Sequence, residues 1–300
     1  MNKKIAGIGL ASIAVLSLAA CGHRGASKSG GKSDSLKVAM VTDTGGVDDK
    51  SFNQSGWEGM QAWGKKNGLK KGAGFDYFQS ASESDYATNL DTAVSSGYKL
   101  IFGIGFSLHD AIDKAADNNK DVNYVIVDDV IKGKDNVASV VFADNESAYL
   151  AGIAAAKTTK TKTVGFVGGM ESEVITRFEK GFEAGVFSEA KSRNESLKEA
   201  DKVWVLGVDR DQAAEGKYTS KDGKASNFVL ASSIKEVGKS VELIATKTSK
   251  GKFPGGNVTT YGLKDGGVDI ATTNLSDDAV KAIKEAKAKI ISGDIKVPSK

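Results

Sequence analysis

The sequence predicts an α/β fold of parallel sheets with helices on both faces. Strand-length apolar runs alternate with helical patterns through the first half of the chain, and that alternation covers a parallel sheet from both sides. Turns are made with glycine, for the 300 residues hold 35 glycines and two prolines. The first strand also runs directly into a polar, glycine-bearing loop that opens a helix, Asp43-Thr44-Gly45-Gly46-Val47-Asp48-Asp49-Lys50-Ser51-Phe52-Asn53-Gln54. In open α/β sheets ligands bind in the crevice outside the carboxyl ends of the strands.

The first strand spans residues 36–41. Ser51 and Gln54 stand in the S-x-x-Q relation of a capping box, which predicts Ser51 as N-cap. The paired glycines keep the backbone uncovered, so Asp43 and Phe52 face one crevice. An ordinary strand-to-helix loop, with Phe52 in the core, would use the same residues. The helix from Ser51 aligns Phe52, Gly56, Met60 and Trp63 on one face. A strand at 75–78 and a helix at 85–95 follow. The strand at 100–104 precedes a helix with Leu108, Ile112 and Ala115 in its stripe. The runs 124–127 and 137–142 are further strands, the former closed by Asp128-Asp129, and Ala143-Asp144 begins a crossing to a second lobe.

The second half opens with a helix over 146–157 and a strand over 163–167. From 172 to 200 only helical spacing is present, interrupted by Gly181 and Gly185. A single helix of that length exceeds the usual range, so the second lobe reads as short of strands. A strand at 202–208 ends in Asp209-Arg210-Asp211. Residues 213–226 form a polar loop with the turn signal Asp222-Gly223. A short strand at 228–231 and a helix over 232–246 come next, then strands at 258–263 and 268–272 around the turn Lys264-Asp265-Gly266-Gly267. Ser276 caps the last helix, with Asp277 and Asp278 favouring its N-terminus.

The first residues read as targeting rather than fold. Met1-Asn2-Lys3-Lys4 is a basic n-region and residues 5–20 an apolar h-region too short to span a bilayer comfortably. It ends Leu18-Ala19-Ala20-Cys21, small residues directly before the single cysteine, in the manner of a bacterial lipobox. A plain signal peptide with an incidental cysteine is the alternative, though a lone cysteine serves no disulfide framework. A lipidated Cys21 would supply the two hydrophobic signals that stable anchoring needs. The Gly/Ser/Lys-rich stretch that follows is a flexible tether. The predicted organisation is a signal peptide over 1–20, an anchor and tether over 21–35, a first lobe over 36–143 joined by part of the C-terminal segment, and a second lobe over 144–300 shortened near 185. The formal charge of +3 does not point to nucleic acid.

Enzyme signatures are mostly absent. Gly31-Lys32-Ser33 and Gly238-Lys239-Ser240 lack the glycine and the preceding strand of a phosphate loop. Gly105-Phe106-Ser107 is not completed to a nucleophile elbow. Gly165-Phe166-Val167-Gly168-Gly169 departs from a dinucleotide fingerprint and suits close strand-to-helix packing. With His23 and His109 the only histidines, no His/Cys cluster exists for a metal, and no cofactor is expected. What remains is a set of carboxylates at strand ends, Asp43, Asp128 and Asp209, with Lys264 in a late turn. Carboxylates accept from hydroxyl and ring N–H donors, and Phe52 and Phe106 offer stacking faces. A nucleoside uses both kinds of contact. Each aspartate would equally serve as a cap or turn residue.

At these residues the sequence resembles the basic membrane protein family of lipoproteins, nucleoside-binding receptors of ABC importers related to the purine nucleoside receptor A. Besides the opening loop, the matching pieces are Ser147-Ala148-Tyr149-Leu150-Ala151-Gly152, Gly165-Phe166-Val167-Gly168-Gly169-Met170, Phe178-Glu179-Lys180-Gly181-Phe182 and Gly207-Val208-Asp209-Arg210-Asp211-Gln212. The resemblance implies a two-lobed periplasmic-binding-protein fold of type I that closes on its ligand by hinge motion. It implies that Asp43 contacts the base with Asn53 nearby, that Phe52 stacks on it, and that Asp128, Asp209 and Lys264 hold ribose. The second stacking aromatic matches Phe187. Here the chain departs from the family, passing directly from Phe182-Glu183-Ala184-Gly185 to Val186-Phe187-Ser188-Glu189. Roughly fifty residues are missing, more than one βαβ unit of about thirty. That loss is expected to truncate the second lobe and weaken or abolish affinity.

The leading functional expectation is therefore a monomeric, lipid-anchored receptor on the outer side of the cell membrane. It would pass guanosine, adenosine or inosine to ABC importer permease subunits. A sugar receptor of the same fold, a surface antigen that has lost its ligand, and a nucleoside-processing enzyme are the alternatives, in falling order.

Overall fold

The computed structural model describes residues 35–160, 162–193, 204–220 and 223–300. The chain begins with β1 (Val38–Thr42), α1 (Phe52–Lys66), β2 (Phe75–Phe78), α2 (Asp85–Ser95) and β3 (Leu100–Ile104). A 3-10 turn, Phe106–Leu108, leads into α3 (His109–Asn118), β4 (Asn123–Val127) and β5 (Val137–Phe142). The second half comprises α4 (Asp144–Thr158), α5 (Glu173–Arg193), β6 (Val205–Asp209), β7 (Lys217–Thr219), β8 (Ala225–Asn227) and β9 (Val229–Lys235). It closes with α6 (Val237–Ser249), β10 (Val258–Tyr261), β11 (Val268–Ala271) and α7 (Asp277–Ser292).

Six strands form the first sheet in the order β10-β5-β4-β3-β1-β2, all parallel. Its central strands are apolar at nearly every position because helices cover both faces: β1 and β3 are buried throughout. On one face Met40, Phe102 and Ile104 pack with Met60 and Trp63 of α1. On the other, Val41 and Ile101 pack with Leu90 of α2 and Ile112 of α3.

The second sheet has three strands in the order β11-β9-β6, with β9 parallel to β6 and antiparallel to β11. The chain crosses between the sheets at α4, at the passage from β9 to α6, and at the turn from β10 to β11. The three crossings are tied together. Glu236 N–H donates to Gly267 O, and Leu263 N–H donates to Glu146 Oε2 at 2.7 Å.

Several expectations are corrected. Residues 163–167, read as a strand, pair with no other strand among the described residues, and Val167 is 97 % exposed. They lie across a cavity from β6, and an apolar run becomes a strand only where it reaches an edge and pairs along it. The glycines there are exposed rather than packed, with nothing near a Cβ at Gly165 or Gly169. Gly181 and Gly185 do not interrupt α5. They let it lie directly on α4: a Cβ at Gly181 would come within 2.2 Å of Asn145 O, and one at Gly185 within 2.1 Å of Tyr149 O.

The polar loop over 213–226 folds back as the β7–β8 hairpin. The helix expected over 232–246 starts late, because residues 229–235 are the central strand of the second sheet. Part of the strand read over 202–208, at Lys202 and Val203, lies outside the described residues, as do the tether and Cys21. Ser276 caps α7 as expected, accepting from Ala279 N–H. No described helix is long and apolar enough to cross a membrane.

Candidate functional site

The loop after β1 is organised by Asp49 rather than Ser51. Asp49 Oδ1 accepts from the backbone N–H of Ser51 and Gln54, and its Oδ2 from the N–H of Asn53. The side chain of Ser51 makes no cap, which frees its hydroxyl to donate to Asp209 Oδ2 at 2.6 Å across the two sheets. Lys50–Glu215 at 2.8 Å and Arg210–Glu58 at 3.0 Å reinforce that junction. Both are exposed pairs of small individual worth.

Asp43 follows β1 and accepts through Oδ1 from Gly45 N–H and from Asn53 Nδ2 at 2.7 Å. Its Oδ2 lies over Gly105, where a Cβ would approach to 3.1 Å and where φ is +115°. Glycine is needed there on both counts. Asn53 is 1 % exposed, gives its amide N–H to Asp43 and Asp49, and leaves Oδ1 without a donor.

Asp128 follows β4, two strands from β1 in the sheet order, which sets it about 10 Å from Asp43 at the usual strand spacing. It adopts a left-handed backbone, φ 68°, as does Asp209 at the end of β6, φ 66°. Arg210 N–H bonds back to Val208 O, so Asp209 sits at the centre of a three-residue turn. Backbone held in this region by non-glycine residues costs energy and clusters at functional sites.

Between them stands Lys235, the last residue of β9 and 3 % exposed. Its Nζ donates to Asp128 Oδ2 at 2.6 Å and lies 3.1 Å from Asp144 Oδ1. Asp144 opens α4, is fully buried, and also accepts from Arg177 of α5 at 2.9 Å. The Lys235 ammonium lies 5.3 Å from the Phe52 ring centroid and 5.2 Å from that of Phe178. Burial alone would push its pKa down. Asp128, Asp144 and Asp209 outweigh that and hold it above the usual lysine range. Burial pushes Asp128 up to about 6 against the pull of Lys235, and burial likewise raises Asp209. Asp128 Oδ1, like Asn53 Oδ1, is a buried acceptor with no donor.

The structure thus gathers Asp128 and Asp209 around Lys235, with Phe52 against that ammonium, and bonds Asn53 to Asp43. Phe106, half-buried at the end of β3, begins the 3-10 turn beside Gly105. Lys264 and Phe187 are not brought to this cluster. Lys264 is exposed in the turn at the third crossing. Phe187 is 71 % exposed on α5, because Gly181, Gly185, Phe182 and Val186 take the face that packs on α4. Sequence reasoning missed Lys235, Asp144 and Arg177. The available signal was the run Val229–Lys235 ending in a lysine, at the same strand-end position as the aspartates. Among the described residues no group of acidic, histidine or cysteine side chains could hold a metal ion.

Two α/β sheets joined by three crossings, with ionisable groups at strand ends of both, define a two-lobed solute-binding protein of the periplasmic type. The chain belongs to the Bmp family, the PnrA-like ABC transporter substrate-binding proteins, whose model matches residues 36–194 and 185–300. It is 53 % identical to the ABC transporter nucleoside-binding protein BmpA of Lactococcus lactis subsp. cremoris, over 99 % of this chain and 98 % of that protein. It is 45 % identical to the CD4+ T-cell-stimulating antigen of Listeria innocua, over 94 % of each. The fold is similar to that of an ABC transporter solute-binding protein from Aeropyrum pernix, with TM-score 0.71 at 21 % identity, over 88 % of this chain and 94 % of that one. The Lactococcus alignment runs over 346 positions although this chain has 300 residues. The two family matches overlap at 185–194.

Proposed function

We propose that this protein captures purine nucleosides in the cleft between its two sheets and hands them to an ABC importer. The observation that carries the reading is the pair of buried acceptors without donors, Asn53 Oδ1 and Asp128 Oδ1, on side chains bonded to Asp43 and to Lys235, with the half-buried Phe52 ring 5.3 Å from that ammonium. Buried polar atoms are nearly always satisfied, so a cleft holding two such acceptors suits a ligand that brings N–H and O–H donors. In this reading Asp43 and Asn53 take the base edge, Phe52 stacks on the base, and Phe106 borders it. Asp128, Asp209 and Lys235 hold the ribose hydroxyls. The name of the Lactococcus relative as a nucleoside-binding protein supports the same class of ligand. Phe187 and Lys264 have no part in it, and a base stacked on one side only would bind more weakly than one clasped between two rings.

The N-terminal pattern ending in Cys21 completes the proposal as an extracytoplasmic lipid anchor. Replacing Cys21 with serine is expected to release the protein from the membrane fraction. The test of the ligand is a thermal-shift panel. Guanosine, adenosine or inosine raises the melting temperature more than the free bases or ribose do. Equal shifts with ribose alone would instead indicate a sugar receptor, and a flat panel with a cooperative melt would sink the reading.

A further inference from the structure

Beside β6 the second lobe holds a cavity of about 610 Å³, within the range of small-molecule sites, roughly 300–1,000 Å³. Its floor is one stripe of α4, Ala148, Ala151, Ala155 and Thr158, which runs for about 15 Å at helical rise. One wall is residues 163–167, the other Trp204 and β6, and Phe178 and Phe182 of α5 close a third side. Phe166 and Phe182 already pair across it, centroids 6.1 Å apart. Lys160 is the one charged residue among the described lining residues.

The position of the cavity explains its existence. Residues 163–167 and β6 are two strand-like stretches that line opposite walls of it without pairing. An apolar space of this size, with small residues on its floor and aromatic rings on its walls, costs stability while empty because its lining forgoes packing contacts.

We infer that this cavity is a second binding site, which takes an uncharged, flat molecule carrying aromatic rings. Four aromatic side chains, Phe166, Phe178, Phe182 and Trp204, supply edge and face contacts, and the threonine hydroxyls at the α4 end can meet one polar group. The site goes beyond the nucleoside reading and does not depend on it.

The test uses the uncharged dye Nile red with the whole protein at a concentration where gel filtration shows a monomer. Its emission rises and shifts to the blue saturably, with one site per chain. Ala151→Trp and, separately, Ala155→Phe fill the floor and abolish the rise while raising the melting temperature. Should a filled variant not fold, the second readout is energy transfer: dye emission excited through tryptophan drops in Trp204→Phe. Asp43→Ala, expected to weaken nucleoside binding, leaves the dye signal unchanged. The inference is overturned if the monomer gives no saturable rise, or if both filled variants melt cooperatively and keep the signal. Loss of the dye in Asp43→Ala would also overturn it, since the dye would then occupy the cleft. So would a dimer that excludes dye, since a second copy would then cover the cavity. A chain that takes the dye and no nucleoside keeps this inference while the nucleoside reading fails.

Discussion

In the first sheet the interiors of β1 and β3 are covered on both faces, whereas in the second sheet β6 is buried only at Gly207. The two regions follow the same pairing rules but have six strands and three. The difference teaches what makes an apolar run a strand. Residues 163–167 are as β-prone as residues 38–42, yet only the latter find a partner on each side. The functional groups respect the same boundary. Those on the first sheet, Asp43, Asn53 and Asp128, are fixed by a complete scaffold. Those contributed by the second, Asp209 and Lys235, depend on a sheet with few neighbours.

The largest expected effect tests that contrast directly. Phe102→Ala, in the middle of β3, should cost about 3–5 kcal/mol in chemical denaturation. Lys235→Met should cost a similar amount, about 3–5 kcal/mol, because it leaves Asp128 and Asp209 buried without their cation and Asp144 with Arg177 alone. If Lys235→Met were neutral, the second sheet would be too loose to bury those carboxylates.

Asp128 gives a pH-dependent prediction. Its folded pKa is raised from 3.8 to about 6, so the fold favours the protonated acid. The stability this contributes is fully present below pH 3.8 and lost as pH rises through 6. Asp128→Asn mimics the protonated form. It should therefore match the wild type near pH 4 and exceed it near pH 7.5, by on the order of 3 kcal/mol. An unchanged difference across that range would remove the buried-carboxylate account. The smallest effect falls at the open edge. Val208→Ser is expected to stay within about 0.5 kcal/mol of wild type, and a larger loss would mean that β6 is covered after all.

Much of the first half was legible in the sequence, since short continuous apolar runs such as residues 100–104 and 124–127, bounded by turn signals, have the length of doubly covered strands. The aspartates at strand ends were legible for the same reason. Three things were hidden. The Ser51 cap was misread because Asp49, two residues earlier, competes for the same backbone donors. Lys235 was hidden because Ala231, Ser232 and Ser233 are small and not β-branched, so the central strand of the second sheet read as a helix start. Lys264 offers itself instead, from its late turn and from the resemblance, although nothing in its local pattern buries it. Gly181 and Gly185 looked like interruptions because a sequence does not reveal which helix will press against them.

The central claim is that the cleft between the two sheets binds a purine nucleoside through Asp43, and the most direct measurement is a calorimetric titration of inosine into the protein and into Asp43→Ala. A saturable, one-site heat is predicted for the protein. For the variant, loss of a hydrogen bond to a charged group, about 1.5–3 kcal/mol, should weaken affinity by roughly 10- to 150-fold. No heat from a protein that still melts cooperatively, or equal heats from both, would contradict the account.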